Sequence, residues 1–158
     1  MIWPPDSPWT PWWRTSDDAI RKAYKLANVK SSDIVYDLGS GDGRSLIIAA
    51  KEFGAYAIGI EIDPLRFFMS KLYVMLSGLG NKVEIRRENF LQSDFSDATV
   101  IFAYLVPKAL QRLLPKFNKE LRKDVRIVSI KYEMDLPIFK EIPYLDKYII
   151  RLYRLPQK

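Results

Sequence analysis

Cysteine and histidine are both missing from this sequence of 158 residues. Without cysteine there is no disulfide, no thiolate nucleophile and no thiolate metal ligand. Without histidine the usual general base, the Ser–His pairing of many hydrolases and the commonest zinc ligand also disappear. No metal site is therefore expected. Chemistry must come from carboxylates, Tyr, Lys, backbone groups or a bound cofactor. Long apolar runs are missing too: nothing approaches the roughly 20 residues of a membrane span, and the N-terminus shows no signal-peptide pattern. The expectation is a cytoplasmic protein without membrane contact. Asn and Gln are few, which with the abundant Lys and Arg gives a thermophile-like composition.

What is present suits one globular domain spanning 1–158. The chain is 48% apolar and 13% aromatic, well away from the composition of disordered segments. Its net charge of +6 has two readings of equal standing. One is an acidic partner such as nucleic acid; the other is solubility alone. Residues 1–14, MIWPPDSPWTPWWR, hold all four Trp of the chain and form a Trp/Pro-rich arm. Proline opposes regular structure there, while Trp favours cover.

Beyond the arm the pattern alternates between strand and helix. Thr15 or Ser16 can cap a helix whose first turn carries Asp17 and Asp18. Strands are expected over 33–38, 56–61, 82–87, 99–104 and 125–131, with helices over 44–53, 64–77 and from Pro107 onward. Pro115 is expected to kink or split that last helix. The segment IFKEIPYLDKYIIRLYRL reads as a hairpin turning near Asp146 and Lys147. The usual helix before it is reduced to a turn near 135–137. Such alternation implies an α/β, Rossmann-like fold: a mostly parallel sheet of seven strands, closed at one edge by an antiparallel hairpin.

The chemistry-bearing stretch is VYDLGSGDGR, residues 35–44. Its glycines, Gly39, Gly41 and Gly43, follow the first strand, at the sheet end where open α/β folds bind ligands. Their spacing matches neither G-x-G-x-x-G nor the longer P-loop with its Lys–hydroxyl pair. Asp37 and Asp42 would repel a triphosphate and suit a ligand bearing an ammonium group. Glu61 ends the second strand, where an acid can accept from both hydroxyls of a ribose. Asn89 and Phe90 follow the third strand, where an amide can bond an adenine edge and a ring can lie on its face. Taken one by one, each has a plainer reading as a strand-end charge, a loop amide or a core ring.

In this order, the features resemble the class I S-adenosylmethionine-dependent methyltransferases. That cofactor carries an amino-acid ammonium and a sulfonium but no phosphate, which accounts for the acids. More narrowly, DIVYDLGSGDGR, IEIDP, NFLQSDFSDATVIFAYLVP, LPKFNKEL and RIVS resemble one small family. It contains the archaeal broad-specificity protein lysine methyltransferases and the eukaryotic lysine methyltransferases of the ATP synthase c-subunit. The resemblance implies S-adenosylmethionine as cofactor and lysine ε-amines of proteins as acceptors. It implies that Asp37, the three glycines, Glu61, Asn89 and Phe90 bind the cofactor. It places Tyr104, in the family's Tyr-Leu-x-Pro pattern, beside the transferred methyl group. Thr15, retained from a family element before the first helix, would approach the cofactor's methionine end while capping that helix; a cap alone is the plainer reading.

The chain departs from the family after the fifth strand. Ser-His-acid-Phe is there replaced by Ser129-Ile130-Lys131-Tyr132, so the His and the acid are lost. An RNA or small-molecule acceptor is one alternative, motivated by Lys108, Arg112, Lys116, Lys119, Arg122 and Lys123. A cofactor-binding module without turnover is another. A monomer is expected.

Overall fold

A computed structural model describes residues 15–145 and 148–155. The Trp/Pro arm and the hairpin tip at Asp146 and Lys147 lie outside the described residues. In chain order the elements are α1 (Asp17–Leu26), β1 (Ile34–Leu38), α2 (Arg44–Phe53), β2 (Tyr56–Ile60), α3 (Pro64–Leu76) and β3 (Val83–Arg86). Then follow β4 (Val100–Ala103), α4 (Pro107–Glu120), β5 (Arg126–Ile130), β6 (Ile138–Tyr144) and β7 (Tyr148–Arg154).

The strands form one seven-stranded sheet in the order β3-β2-β1-β4-β5-β7-β6. The first five positions are parallel, and β7 enters antiparallel to β5 with β6 outside it. Pairing Leu38 with both Ile60 and Ala103 brings the ends of β1, β2 and β4 level. Ala103 in turn faces Ser129 on β5. The residues after these strands therefore share one rim of the sheet.

The two-residue period of the strands sorts side chains between two cores. Val35, Ala57, Val100 and Val128 face α1 and α2 with Leu46, Ala23 and Tyr24. Tyr36, Ile58, Ile101 and Ile127 face α4 with Leu110, Leu113 and Phe117. Asp37 shares the parity of Val35, so its carboxylate is carried under α2.

The structure decides between two local alternatives at each of two places. The cap of α1 is Ser16, whose Oγ accepts from the Ala19 N–H at 3.2 Å, and not Thr15. Ser16 sits one residue nearer the first turn, within reach of its orphan amides. Pro115 does not split α4, which runs unbroken from Pro107 to Glu120. Pro115 lies on the exposed face, so the Gln111 carbonyl that it leaves unbonded can be met by water.

No helix separates β5 from β6. Helix α3 is unusual in turning an apolar face outward: Leu65, Phe68, Met69, Leu72, Met75 and Leu76 are all exposed. Among the described residues no helix is long and apolar enough to cross a membrane.

Candidate active site

The glycine turn owes its shape to three left-handed residues, Gly39, Gly41 and Gly43, with φ of 82°, 57° and 81°. Any side chain would be strained at these angles. At Gly43 an added Cβ would also stand 3.0 Å from the Cβ of Ser70. The turn is bound to the end of β2: the N–H groups of Gly39 and Ser40 donate to the Ile60 carbonyl at 2.8 and 3.0 Å. The Gly41 N–H donates to Glu61 Oε2 at 2.9 Å.

Glu61 is buried, with 3% of its surface exposed. Its Oε1 accepts from the Asp63 N–H at 2.9 Å, and Arg66 stands 3.7 Å away. Burial raises its carboxyl above the ordinary range, against the two backbone donors and Arg66. Each carboxylate oxygen keeps lone-pair capacity for a further donor. Asp63 itself caps α3 by accepting from the Arg66 N–H at 2.9 Å.

Asp37 accepts from Ser45 Oγ under the start of α2. Burial pushes its carboxyl up to about 7; the Ser45 bond opposes this, and Glu61 and Asp42 add to it. Asp42 has a structural partner in Arg44. That guanidinium reaches Asp42 and Asp17, both at 2.9 Å, and the Thr15 carbonyl at 3.3 Å. The clamp ties the chain leading into α1 to the glycine turn, and it brings Thr15 to the rim.

A cavity of about 490 Å³ opens beyond Glu61, lined by Ile62, Arg87, Glu88, Asn89 and Gln92. Asn89 holds its own loop by accepting from the Leu91 N–H at 2.9 Å. Phe90 does not line this cavity. It is 8% exposed and belongs to the core with Leu38, Ile60 and Phe95. The apolar wall is Ile62, which sequence reasoning missed although it directly follows Glu61.

Tyr104 follows β4 and is partly buried. Burial, with the neighbouring Tyr148 and Tyr132 adding, pushes its phenol up to about 12. Tyr132 comes from the turn after β5 and Tyr148 from the first position of β7. Three tyrosines thus meet at the rim beside the glycine turn. Lys131 Nζ stands over two of the rings, 5.0 Å from the centroid of Tyr132 and 5.5 Å from that of Tyr148. Tyr148 was not anticipated, because only β7 folding back onto β5 brings it here.

Next to this cluster lies a groove of about 330 Å³ formed by Pro107, Leu110, Gln111 and Leu114 on α4 and by Glu133, Met134, Asp135 and Leu136. It offers apolar walls with two carboxylates. Among the described residues no group of His, Cys, Asp or Glu is able to hold a metal ion.

The donor set suits a cationic, ribose-bearing ligand: two buried carboxylates, a close-approach glycine turn, an amide-lined cavity and an aromatic cluster. Comparison with known proteins agrees in family. A protein-lysine N-methyltransferase of Saccharolobus islandicus (strain REY15A) is 36% identical over 85% of this chain and 82% of its own length. The human lysine N-methyltransferase of the ATP synthase c-subunit is 27% identical over 72% of this chain; the match spans 48% of that longer protein. Among solved structures, an RNA methyltransferase from Salinibacter ruber in complex with S-adenosyl-L-homocysteine superposes with a TM-score of 0.89. It is 31% identical, and the match covers 92% of this chain and 95% of that one. The model of the ANTKMT methyltransferase domain matches residues 37–137. The chain belongs to this methyltransferase family.

Proposed function

We propose that this chain is an S-adenosylmethionine-dependent methyltransferase acting on lysine ε-amines of proteins. The bound cofactor supplies an activated methyl group on a sulfonium. The glycine turn lets backbone approach the methionine end, with Thr15 at the rim and the Asp37 carboxyl nearby, which a bound cation would draw toward its ionised form. Glu61 accepts from the ribose hydroxyls with the lone pairs that Gly41 and Asp63 leave open. Asn89 reads the adenine edge, and Ile62 provides the apolar face that had been expected of Phe90.

The observation that carries the acceptor assignment is the tyrosine cluster. Two of its rings, Tyr132 and Tyr148, already hold an ammonium, that of Lys131, with Tyr104 beside them. Ring faces attract a cation, and a desolvated site favours the neutral amine needed for attack. Tyr104 remains protonated at working pH, so its oxygen can accept from the amine and orient it. Removal of water and alignment require neither His nor Cys. Glu133 and Asp135 in the adjoining groove favour a basic segment over a phosphate backbone.

RNA is the second reading. It is favoured by the likeness to the Salinibacter ruber protein and by exposed Lys108, Arg112, Lys119, Arg122 and Lys123 on and after α4. One assay separates the two. Native extract is incubated with methyl-labelled cofactor and digested in parallel with protease or nuclease. Label on lysines that survives nuclease is expected, with Tyr104→Phe lowering the rate about tenfold or more. Label confined to RNA would sink the lysine reading.

A further inference from the structure

Lys131 stands where the family's acid is replaced, and its backbone lies in the left-handed region, with φ of 74°. A lysine pays a conformational cost there that glycine would not. Two hydrogen bonds lock the turn: the Lys131 N–H donates to the Ile149 carbonyl at 3.0 Å, and Arg151 donates to the Lys131 carbonyl at 3.3 Å. The effect is to direct the side chain over Tyr132 and Tyr148, both within cation–π reach.

The position relative to the methyl donor follows from register. Leu38 pairs with Ala103, and Ala103 with Ser129, so Gly39, Tyr104 and Ile130 come next across adjacent strands. Neighbouring strands lie about 4.8 Å apart, which puts the start of the turn after β5 roughly 10 Å from the glycine turn. A Cβ added to Gly39 would stand 3.5 Å from Leu105 Cδ2, so the glycine turn abuts the exit of β4 directly. Tyr104, at the end of the strand between the two turns, and Tyr148 beside it fill that gap next to the Lys131 ammonium.

We infer that Lys131 is an intramolecular occupant of the acceptor cage and a methyl acceptor in its own right. The inference rests on the lysine reading above. In the step, Lys131 first loses a proton to water. The Nζ lone pair then forms the N–C bond to the methyl carbon as the S–C bond breaks. The electron pair of that bond passes to sulfur, and the sulfonium becomes a neutral thioether. Until then the Lys131 ammonium competes with a substrate lysine for the rings.

The test uses the full chain with Lys131→Gly, which empties the cage and suits the left-handed backbone, and Lys131→Arg, which keeps a cation. Without cofactor, calorimetry with n-butylammonium is expected to show binding to Lys131→Gly about threefold or more tighter than to the wild type or Lys131→Arg. With labelled cofactor, peptide mass spectrometry is expected to find methyl groups on Lys131. The rate per molecule should not change with protein concentration. Equal n-butylammonium affinities, or an unmodified Lys131 peptide while an added protein is methylated at lysine, would overturn the inference and leave the lysine reading standing. No lysine label on any protein would overturn both.

Discussion

At the scale of single residues, burial and charge decide the site. Glu61 holds the glycine turn to the start of α3, since it accepts from Gly41 and Asp63, and the proposed ribose role draws on its remaining lone pairs. Glu61→Gln keeps the shape and removes the charge. It is expected to weaken S-adenosylmethionine binding about 10- to 100-fold by calorimetry; unchanged affinity would remove the ribose assignment. Asp37 makes a pH prediction. Its folded value of about 7 lies above the ordinary 3.8, so the folded state holds more protons than the unfolded state between these values. Stability from this group is therefore present at low pH and lost as pH rises through about 7. Relative to Asp37→Asn, the ligand-free protein should lose on the order of 2–4 kcal/mol between pH 4 and pH 8 in denaturant titrations. A pH-independent difference would show that Asp37 is not held protonated. That Asp37, Glu61 and the glycines gather at one rim was legible because they stand at or just after strand ends in a short pattern. Phe90 packs with Leu38, Ile60 and Phe95, and its burial was not legible because a Phe after a strand looks alike from sequence whether it faces a cavity or the core.

At the scale of elements, the βα units follow their local signals closely. Helix α2 spans Arg44–Phe53 between two left-handed glycines, Gly43 and Gly54, and this punctuation is visible in the sequence. Helix α4 is where local reasoning overreached. Proline in a helix removes one bond and usually kinks the axis, but exposure of Pro115 makes the loss tolerable. Pro115→Ala is expected to restore the bond to the Gln111 carbonyl and raise stability by about 1–3 kcal/mol in denaturant unfolding. A loss of stability would mean that Pro115 itself is needed for the packing of Leu113 and Phe117.

Across the whole molecule, the rim opposite the site is tied by Arg126 on β5. Its guanidinium donates to the carbonyls of Ala27 at 2.7 Å and Asn28 at 3.0 Å, and it pairs with buried Asp33. Asp33 in turn accepts from Thr99 Oγ1 at 2.8 Å and the Lys30 N–H at 2.7 Å. One ion pair thus joins α1, β1, β5 and the loop before β4. Arg126→Ala leaves a buried carboxylate uncompensated and should cost about 2–4 kcal/mol in denaturant unfolding, with cofactor affinity retained by calorimetry. Coupled loss of affinity would mean that the two rims of the sheet communicate.

The sequence by itself determined the alternation of strands and helices, the close-approach turn after β1, the acid after β2 and the absence of thiol or imidazole chemistry. These are short-range properties: a two- or 3.6-residue period, a left-handed glycine, a missing residue type. Tertiary structure decided what sits beside what. The position of β7 between β5 and β6 brings Tyr148 to Tyr104 and Tyr132, and the left-handed turn at Lys131 directs an ammonium onto the Tyr132 and Tyr148 rings. No local pattern encodes that meeting, because it depends on strand order and register set by the packing of two cores at once.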